Sequence, residues 1–263
     1  MKKQFILLSS ILITGTAITS FIIPLNNEKP DKIEVNKNIK AQNAKEVATE
    51  ITFANGTLNI SAQEMTNLLS GKFICYDDNW KPEISYTETG IYGDLKIRYA
   101  DVVDNDLEFD DSIGRCDWNI KLNKNIKNNL SVKIAAGESN INLENSNLKR
   151  FELNMLAGDV KVNLKNANIP YLLVNALVGE ATIDLSGTWK NDLNANITGG
   201  IGELNIILPK NTGVKIQING LLGNVSFENM SKQDRIYTNS LYGKTAVTVY
   251  IQIQGGLGNI NLK

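Results

Sequence analysis

The sequence predicts an all-β fold: a β-solenoid, a β-helix-like stack of ~21-residue coils, preceded by an N-terminal transmembrane helix or signal. Three observations carry that expectation. The first is the stretch Leu153 to Leu164, where Leu153, Met155 and Ala157 alternate with other residues before Gly158, and Val160, Val162 and Leu164 alternate after it. Each half has the period of two of a strand with one buried face, and the pattern slips by one residue at the glycine, as at a bulge. The second is recurrence: Gly93, Gly114, Gly137, Gly158, Gly179, Gly202, Gly223 and Gly258 follow at intervals of 21, 23, 21, 21, 23, 21 and 35. The third is that columns hold when the chain is aligned on those glycines. Five residues before them stand Val132, Leu153, Val174, Ile197, Ile218 and Ile253; one before stand Ala136, Ala157, Val178, Ile201, Leu222 and Leu257. Four after stand Ile97, Trp118, Ile141, Val162, Ile183, Ile206, Phe227 and Leu262. All three columns are read as inner rungs, because a coil cannot bury its inner face alone and stacked coils share one core.

In chain order, residues 1–25 read as a membrane anchor or signal, 26–50 as a polar linker and 51–263 as the solenoid domain. Met1-Lys2-Lys3 precedes Phe5 to Ile23, 19 residues without a charge. As a helix that is about 28 Å, close to bilayer thickness, and the lysines place its start inside. Small residues at a cleavage site are poor, which favours an uncleaved anchor, with the chain secreted if cleavage occurs. The next residues, rich in Asn, Lys and Glu with Pro30, read as a solvated tether. Phe53 to Ile60 is an imperfect version of the repeat around Gly56. Gly71 to Tyr76 reads as a strand, and Glu83 to Tyr99 as two alternating runs. Asn-rich turns such as Glu144-Asn145-Ser146-Asn147 suit repeated tight corners, since Asn tolerates left-handed angles. Trp80 and Trp189 fall outside the columns and are expected to cover a coil end or turn. Ser231 to Lys244 interrupts the repeat and reads as a hairpin or loop.

Composition excludes several chemistries. The 27 basic and 28 acidic residues leave a net charge of −1 and no case for nucleic acid. Histidine is absent, which removes imidazole metal sites and Ser-His or Cys-His nucleophiles. Asp101 to Asp111 carries six acids, of which Asp101, Asp104, Asp106 and Asp110 are the candidate Ca²⁺ ligands, against a plain solvated excursion. Gly199-Gly200-Ile201-Gly202 and Gly255-Gly256-Leu257-Gly258 run into strands instead of the helix a phosphate loop needs. No motif calls for a cofactor. For Cys75 and Cys116, taking Gly71 as the opening of an earlier coil places the two cysteines two coils apart, roughly 9–10 Å. A disulfide needs Cα atoms within about 7 Å, so two buried thiols are expected.

Glu83-Ile84-Ser85-Tyr86, Gly93-Asp94-Leu95-Lys96-Ile97, Cys116-Asp117-Trp118-Asn119-Ile120-Lys121-Leu122 and the glycine phrases after them resemble, in order and spacing, the toast-rack domain. That domain also occurs in bacterial cell-wall-active-antibiotic response proteins. The resemblance covers roughly Thr52 to Lys263. It implies an extracytoplasmic β-solenoid with no established catalytic residues, whose relatives include envelope-stress signalling proteins with several membrane spans; this chain has one apolar segment.

The function expected first is a membrane-anchored extracytoplasmic solenoid, presenting a binding surface to an envelope membrane protein or a cell-wall polymer, with the resemblance adding envelope-stress signalling. The alternative is an adhesin-like surface-structural protein. Third stands a carbohydrate-active β-helix enzyme using the acids of Asp101 to Asp111 with Arg98 or Arg115. The oligomeric state stays open.

Overall fold

From Gly137 onward, the alternating runs on either side of each repeat glycine become the two halves of a coil, bent at the glycine. A computed structural model describes residues 32–77, 80–99 and 114–263. The anchor or signal expected at Phe5 to Ile23 lies outside the described residues. Three coils are single bent strands: β10 (Leu148–Asn163), β11 (Tyr171–Asp184) and β12 (Leu193–Ile207). Other coils are strand pairs: β2 (Glu46–Phe53) with β3 (Gly56–Gln63), β6 (Tyr92–Tyr99) with β7 (Cys116–Asn123), and β8 (Lys127–Ile134) with β9 (Glu138–Asn142). At the C-terminal side are β13 (Gly213–Asn219) with β14 (Leu222–Phe227), and β17 (Thr248–Gln254) with β18 (Leu257–Leu262).

Neighbouring coils pair in parallel, within one 18-stranded sheet, with glycine on glycine: Gly158 opposite Gly179, Gly179 opposite Gly202, Gly202 opposite Gly258. At Gly179, φ is +119°, and a Cβ there would land on the Gly158 carbonyl oxygen. Glycine is therefore required twice over, for the backbone angle and for the close stacking. The column five residues before the glycine is buried from Val132 to Ile253, as expected, and in the column four after it only Phe227 is exposed. The polar turns stack as well: Asn145 N–H donates to the Lys165 carbonyl and Asn166 N–H to that of Ser186, with Asn145 and Asn166 at positive φ.

The structure corrects the sequence reading in four places. First, spatial order departs from chain order at both ends. β2 and β3 lie between the β6/β7 and β8/β9 coils, and the last coil, β17/β18, inserts between β12 and the β13/β14 coil. Gly93 and Gly114 are not corners; neither has positive φ, and β6 and β7 are halves of one coil. The corner glycine that stacks on Gly137 is Gly56.

Second, the cysteines form a disulfide, with Cα atoms 4.3 Å apart. β4 (Leu69–Cys75) is not a parallel coil two rungs away. It runs antiparallel beside β7 and sets Cys75 directly opposite Cys116. Third, the polar tract read as a linker to residue 50 is already sheet: β1 (Ile33–Ile39) pairs antiparallel with β4, and β2 is a central strand. The turn between them is held by Glu88, whose carboxylate accepts from the backbone N–H groups of Gln42 and Asn43 and from the Tyr86 hydroxyl. Those bonds hold the Glu88 carboxyl below the usual carboxylate range, the Tyr86 hydroxyl contributing most. The fourth correction concerns the column immediately before the glycine and is taken up with the site.

Antiparallel strands cover most of the stack ends. β5 (Pro82–Thr89) lies on β6, β4 on β7, and β16 (Ile236–Asn239) on β13, backed by β15 (Met230–Gln233). The stretch Ser231 to Lys244 is thus in part a hairpin that caps. Trp80 stacks edge-on against Tyr99 at 5.2 Å, and Trp189 is buried with its indole N–H donating to the Leu185 carbonyl, so both tryptophans cover structure. Under the N-terminal caps, Phe53, Phe73, Tyr99 and Trp118 form one aromatic cluster with ring centroids 4.8–6.5 Å apart.

Edge strand β1 carries a pH-sensitive contact. Glu34 accepts from Lys72 at 2.9 Å, Asn36 at 3.1 Å and Lys32 at 3.3 Å, and these donors, Lys72 foremost, hold its carboxyl down from 4.5 to about 2. A carboxyl whose folded pKa is depressed stabilises above the unfolded value and loses that contribution as pH falls through the folded one. Stability should therefore decline between pH 4.5 and about 2 by an amount that Glu34→Gln reduces. Urea midpoints of both proteins across that range test this, and parallel pH profiles would refute it.

Candidate functional site

A chain that alternates inward and outward must change phase between residue −3 and residue +2 of each glycine, five positions apart. The inner set before the corner ends at Met155, and the inner set after it begins at Val160. The phase change is spent on the corner itself, so residues −1 and +1 both lie on the outer surface. The inward alternation stops two residues earlier than the sequence pattern predicts. Of the −1 column, expected in the core, Ala136 and Ala157 are half-buried and the other four are a row of exposed aliphatics: Val178 47%, Ile201 59%, Leu257 57% and Leu222 73%. Strand pairing makes them neighbours, Val178 beside Ile201, Ile201 beside Leu257, Leu257 beside Leu222. At normal strand spacing the row is about 14 Å long. Leu177 widens it at one end. Exposed single aliphatics are ordinary, but a contiguous row of them marks an interaction surface. No local sequence signal separates the row from an inner column, because the odd step between −3 and +2 can fall on either side of residue −1.

A second row flanks the glycines on their other side. Position +1 is Glu138, Asp159, Glu180 and Glu203 on four successive strands, in register. All four are exposed. Glu180 accepts from Asn205 at 3.1 Å and Glu203 from Asn261 at 2.7 Å, while Asp159 accepts from the Glu180 N–H. Among the described residues none of the four makes an ion pair with a lysine or arginine. Lys161, on the same side of β10, lines the hollow that Glu138, Asp159 and Glu180 border. The aliphatic and acidic rows overlap on β11 and β12, where Val178 and Glu180, then Ile201 and Glu203, straddle one glycine each.

The row ends on β14, whose outer edge has no strand partner among the described residues. Its residues Leu222 to Phe227 carry no charge and no proline, the usual protections of a free edge. Phe227, an expected inner rung, is half-covered there by Tyr237 at 5.2 Å and is otherwise exposed.

The other sequence candidates do not form a site. Asp101, Asp104, Asp106 and Asp110 lie outside the described residues, and among the described ones no three His, Cys, Asp or Glu side chains group as metal ligands. Arg98 pairs with Glu83 at 3.1 Å and Arg115 with Asp117 at 3.5 Å. No described helix is long and apolar enough to cross a membrane.

Comparison with known proteins matches the chain to the N-terminal domain of toast_rack, DUF2154, over residues 27–170 and 150–207. Among solved structures, a candidate cell adhesion protein from Clostridium sporogenes is similar at 31% identity and a TM-score of 0.66, over 89% of this chain and 99% of that one. A candidate adhesin from Bacteroides fragilis follows at 10% identity and a TM-score of 0.30, over 89% and 99% of the two chains. A candidate lipid-binding protein from Parabacteroides distasonis stands at 13% and 0.31, over 89% and 97%. The last two likenesses are too low to support an argument. No curated protein matches the chain.

Proposed function

The chain belongs to the toast-rack family, and from that premise we propose that it is a non-catalytic, adhesin-like binding module of the cell surface, docking a protein through the exposed aliphatic row at its glycine corners. The observation that carries this reading is the row itself, four aliphatic side chains aligned across β11, β12, β18 and β14 with nothing over them among the described residues. An extracytoplasmic location is supported by the Cys75–Cys116 disulfide, since such bonds persist in oxidising compartments. The uncharged run Phe5 to Ile23 behind Lys2 and Lys3 supports anchoring in the membrane. The similar protein from Clostridium sporogenes, described as a candidate cell adhesion protein, supports the adhesin side of the reading. A protein partner in the same membrane would turn the module towards envelope-stress signalling instead.

The test uses cells displaying the full chain and the Ile201→Asp/Leu257→Asp variant. Each aliphatic side chain covered on docking contributes about 1.5–3 kcal/mol, so attachment to protein-coated surfaces should fall at least about tenfold. Surface abundance and melting temperature should not change, because both side chains already face solvent. Equal attachment by both proteins, or attachment to polysaccharide alone, refutes the proposal.

A further inference from the structure

The pairing of the two corner rows says what kind of partner fits. The geometry points to a cationic amphipathic helical segment as the occupant of this corner, its apolar side on Val178, Ile201, Leu257 and Leu222 and its basic side on Glu138, Asp159, Glu180 and Glu203. This rests on the reading of the corner as a docking surface and adds the partner's chemistry.

Charge complementarity is the first argument. The acids form a single-sign row on a chain whose net charge is −1, so the negative charge is a local arrangement and not a general property. Four carboxylates at the ~4.8 Å spacing of strands repel one another unless cations lie alongside. Among the described residues they have amide, hydroxyl and backbone donors but no ion-pair partner; Lys161 stands near them, and the Lys263 ammonium is held 3.5 Å from the Asn205 amide oxygen without reaching a carboxylate.

Spacing is the second argument. A ladder running across strands repeats every ~4.8 Å, whereas same-face residues of an extended peptide repeat every ~6.7 Å. A helix repeats every ~5.4 Å, so over four rungs its side chains drift by only about 2 Å. A helix laid across the strands keeps pace with both rows; an extended strand does not. The offset of the rows gives a direction: the acids begin on β9 and the large aliphatics end on β14, so the cationic side chains belong towards the β9 end. An anionic lipid surface is disfavoured, because the acid row would face its headgroups.

The experiment takes the full chain in detergent and a labelled Leu/Lys amphipathic helix of about five turns, followed by fluorescence anisotropy. Two comparison peptides are used, one with Glu for every Lys and one with Ser for every Leu. Two protein variants are used, Glu138→Gln/Asp159→Asn/Glu180→Gln/Glu203→Gln and Ile201→Ser/Leu257→Ser. Both should keep the wild-type melting temperature. Binding of the Leu/Lys helix is expected to weaken about tenfold or more in each variant and to fall as salt rises, since exposed charge pairs are screened. Neither comparison peptide should bind. The inference is overturned if the Leu/Lys helix does not bind, if the amide variant binds it unchanged, or if phosphatidylglycerol vesicles bind in its place. If it fails while Ile201→Asp/Leu257→Asp still abolishes cell attachment, the docking surface stands and only its partner class is wrong. If attachment is also unaffected, both fail.

Discussion

Gly179→Ala is expected to destabilise the protein by about 4 kcal/mol, a loss of ~10 °C in Tm. Two costs add. At φ +119° an L side chain is strained by about 1–3 kcal/mol, and its Cβ would occupy the place of the Gly158 carbonyl oxygen. Relieving that clash means separating coils whose hydrogen bonds and core depend on their spacing, and overpacking of this kind costs another 1–3 kcal/mol or so. The same line of contacts continues, with a Cβ at Gly202 meeting the Gly179 carbonyl, so the strain has no free side into which to relax. Gly90→Ala is the control. Its φ is +62° and an added Cβ would meet nothing within 4 Å, so only the backbone cost of about 1–2 kcal/mol applies. Thermal melts of the two variants decide the matter. If Gly179→Ala melts no lower than Gly90→Ala, the stacking of the corners is not what holds the coils in register.

Replacing both cysteines by alanine should cost about 3–4 kcal/mol, which for a chain of this size is a loss of ~10 °C in Tm. The bridge spans a sequence separation of 41 and closes a loop that includes the acidic run between β6 and β7. Its main effect is to restrict the unfolded chain, and that restriction grows with loop length. The native side chains add to it: Cys75 and Cys116 are both buried. Alkylation of the unfolded, non-reduced protein should modify neither cysteine until a reductant is added. A thiol found free in that experiment, or a variant that melts with the wild type, would return the two residues to the role of small core hydrophobes.

These expectations show how unevenly the structure was written into the chain. The columns at Val132, Leu153, Val174 and Ile197 were legible because one backbone geometry repeats. Every coil needs an apolar residue at the same distance from its glycine, and repetition makes a weak local signal strong. The cysteine pairing was not legible, because β4 lies antiparallel beside β7 and nothing in Leu69 to Cys75 distinguishes a capping strand from another coil. The first strands were masked by composition. β1 is rich in Asn, Glu and Lys and β2 carries two Glu and two Thr, since β1 is an edge strand with charged residues exposed and β2 shows part of its polar face to solvent. The candidate site is legible as a column, Val178, Ile201, Leu222 and Leu257, but the side of the sheet on which that column emerges is not. The acid row beside them follows four successive repeat glycines, from Glu138 to Glu203, but gains meaning only once four strands bring it together.

The sequence by itself determined that the repeats are all-β, that the repeat glycines from Gly137 onward are corners and that aliphatic residues at constant distances from them form a shared core. Those are properties of a single coil, set by a period of two and by the one residue type that tolerates the corner. The tertiary structure alone decided which coil lies beside which, that Cys75 faces Cys116, and on which side of the sheet the residues flanking the corner emerge. Such choices depend on contacts between segments far apart in the chain, and on where a bend absorbs its odd residue. A local pattern is the same whichever neighbour it is stacked against.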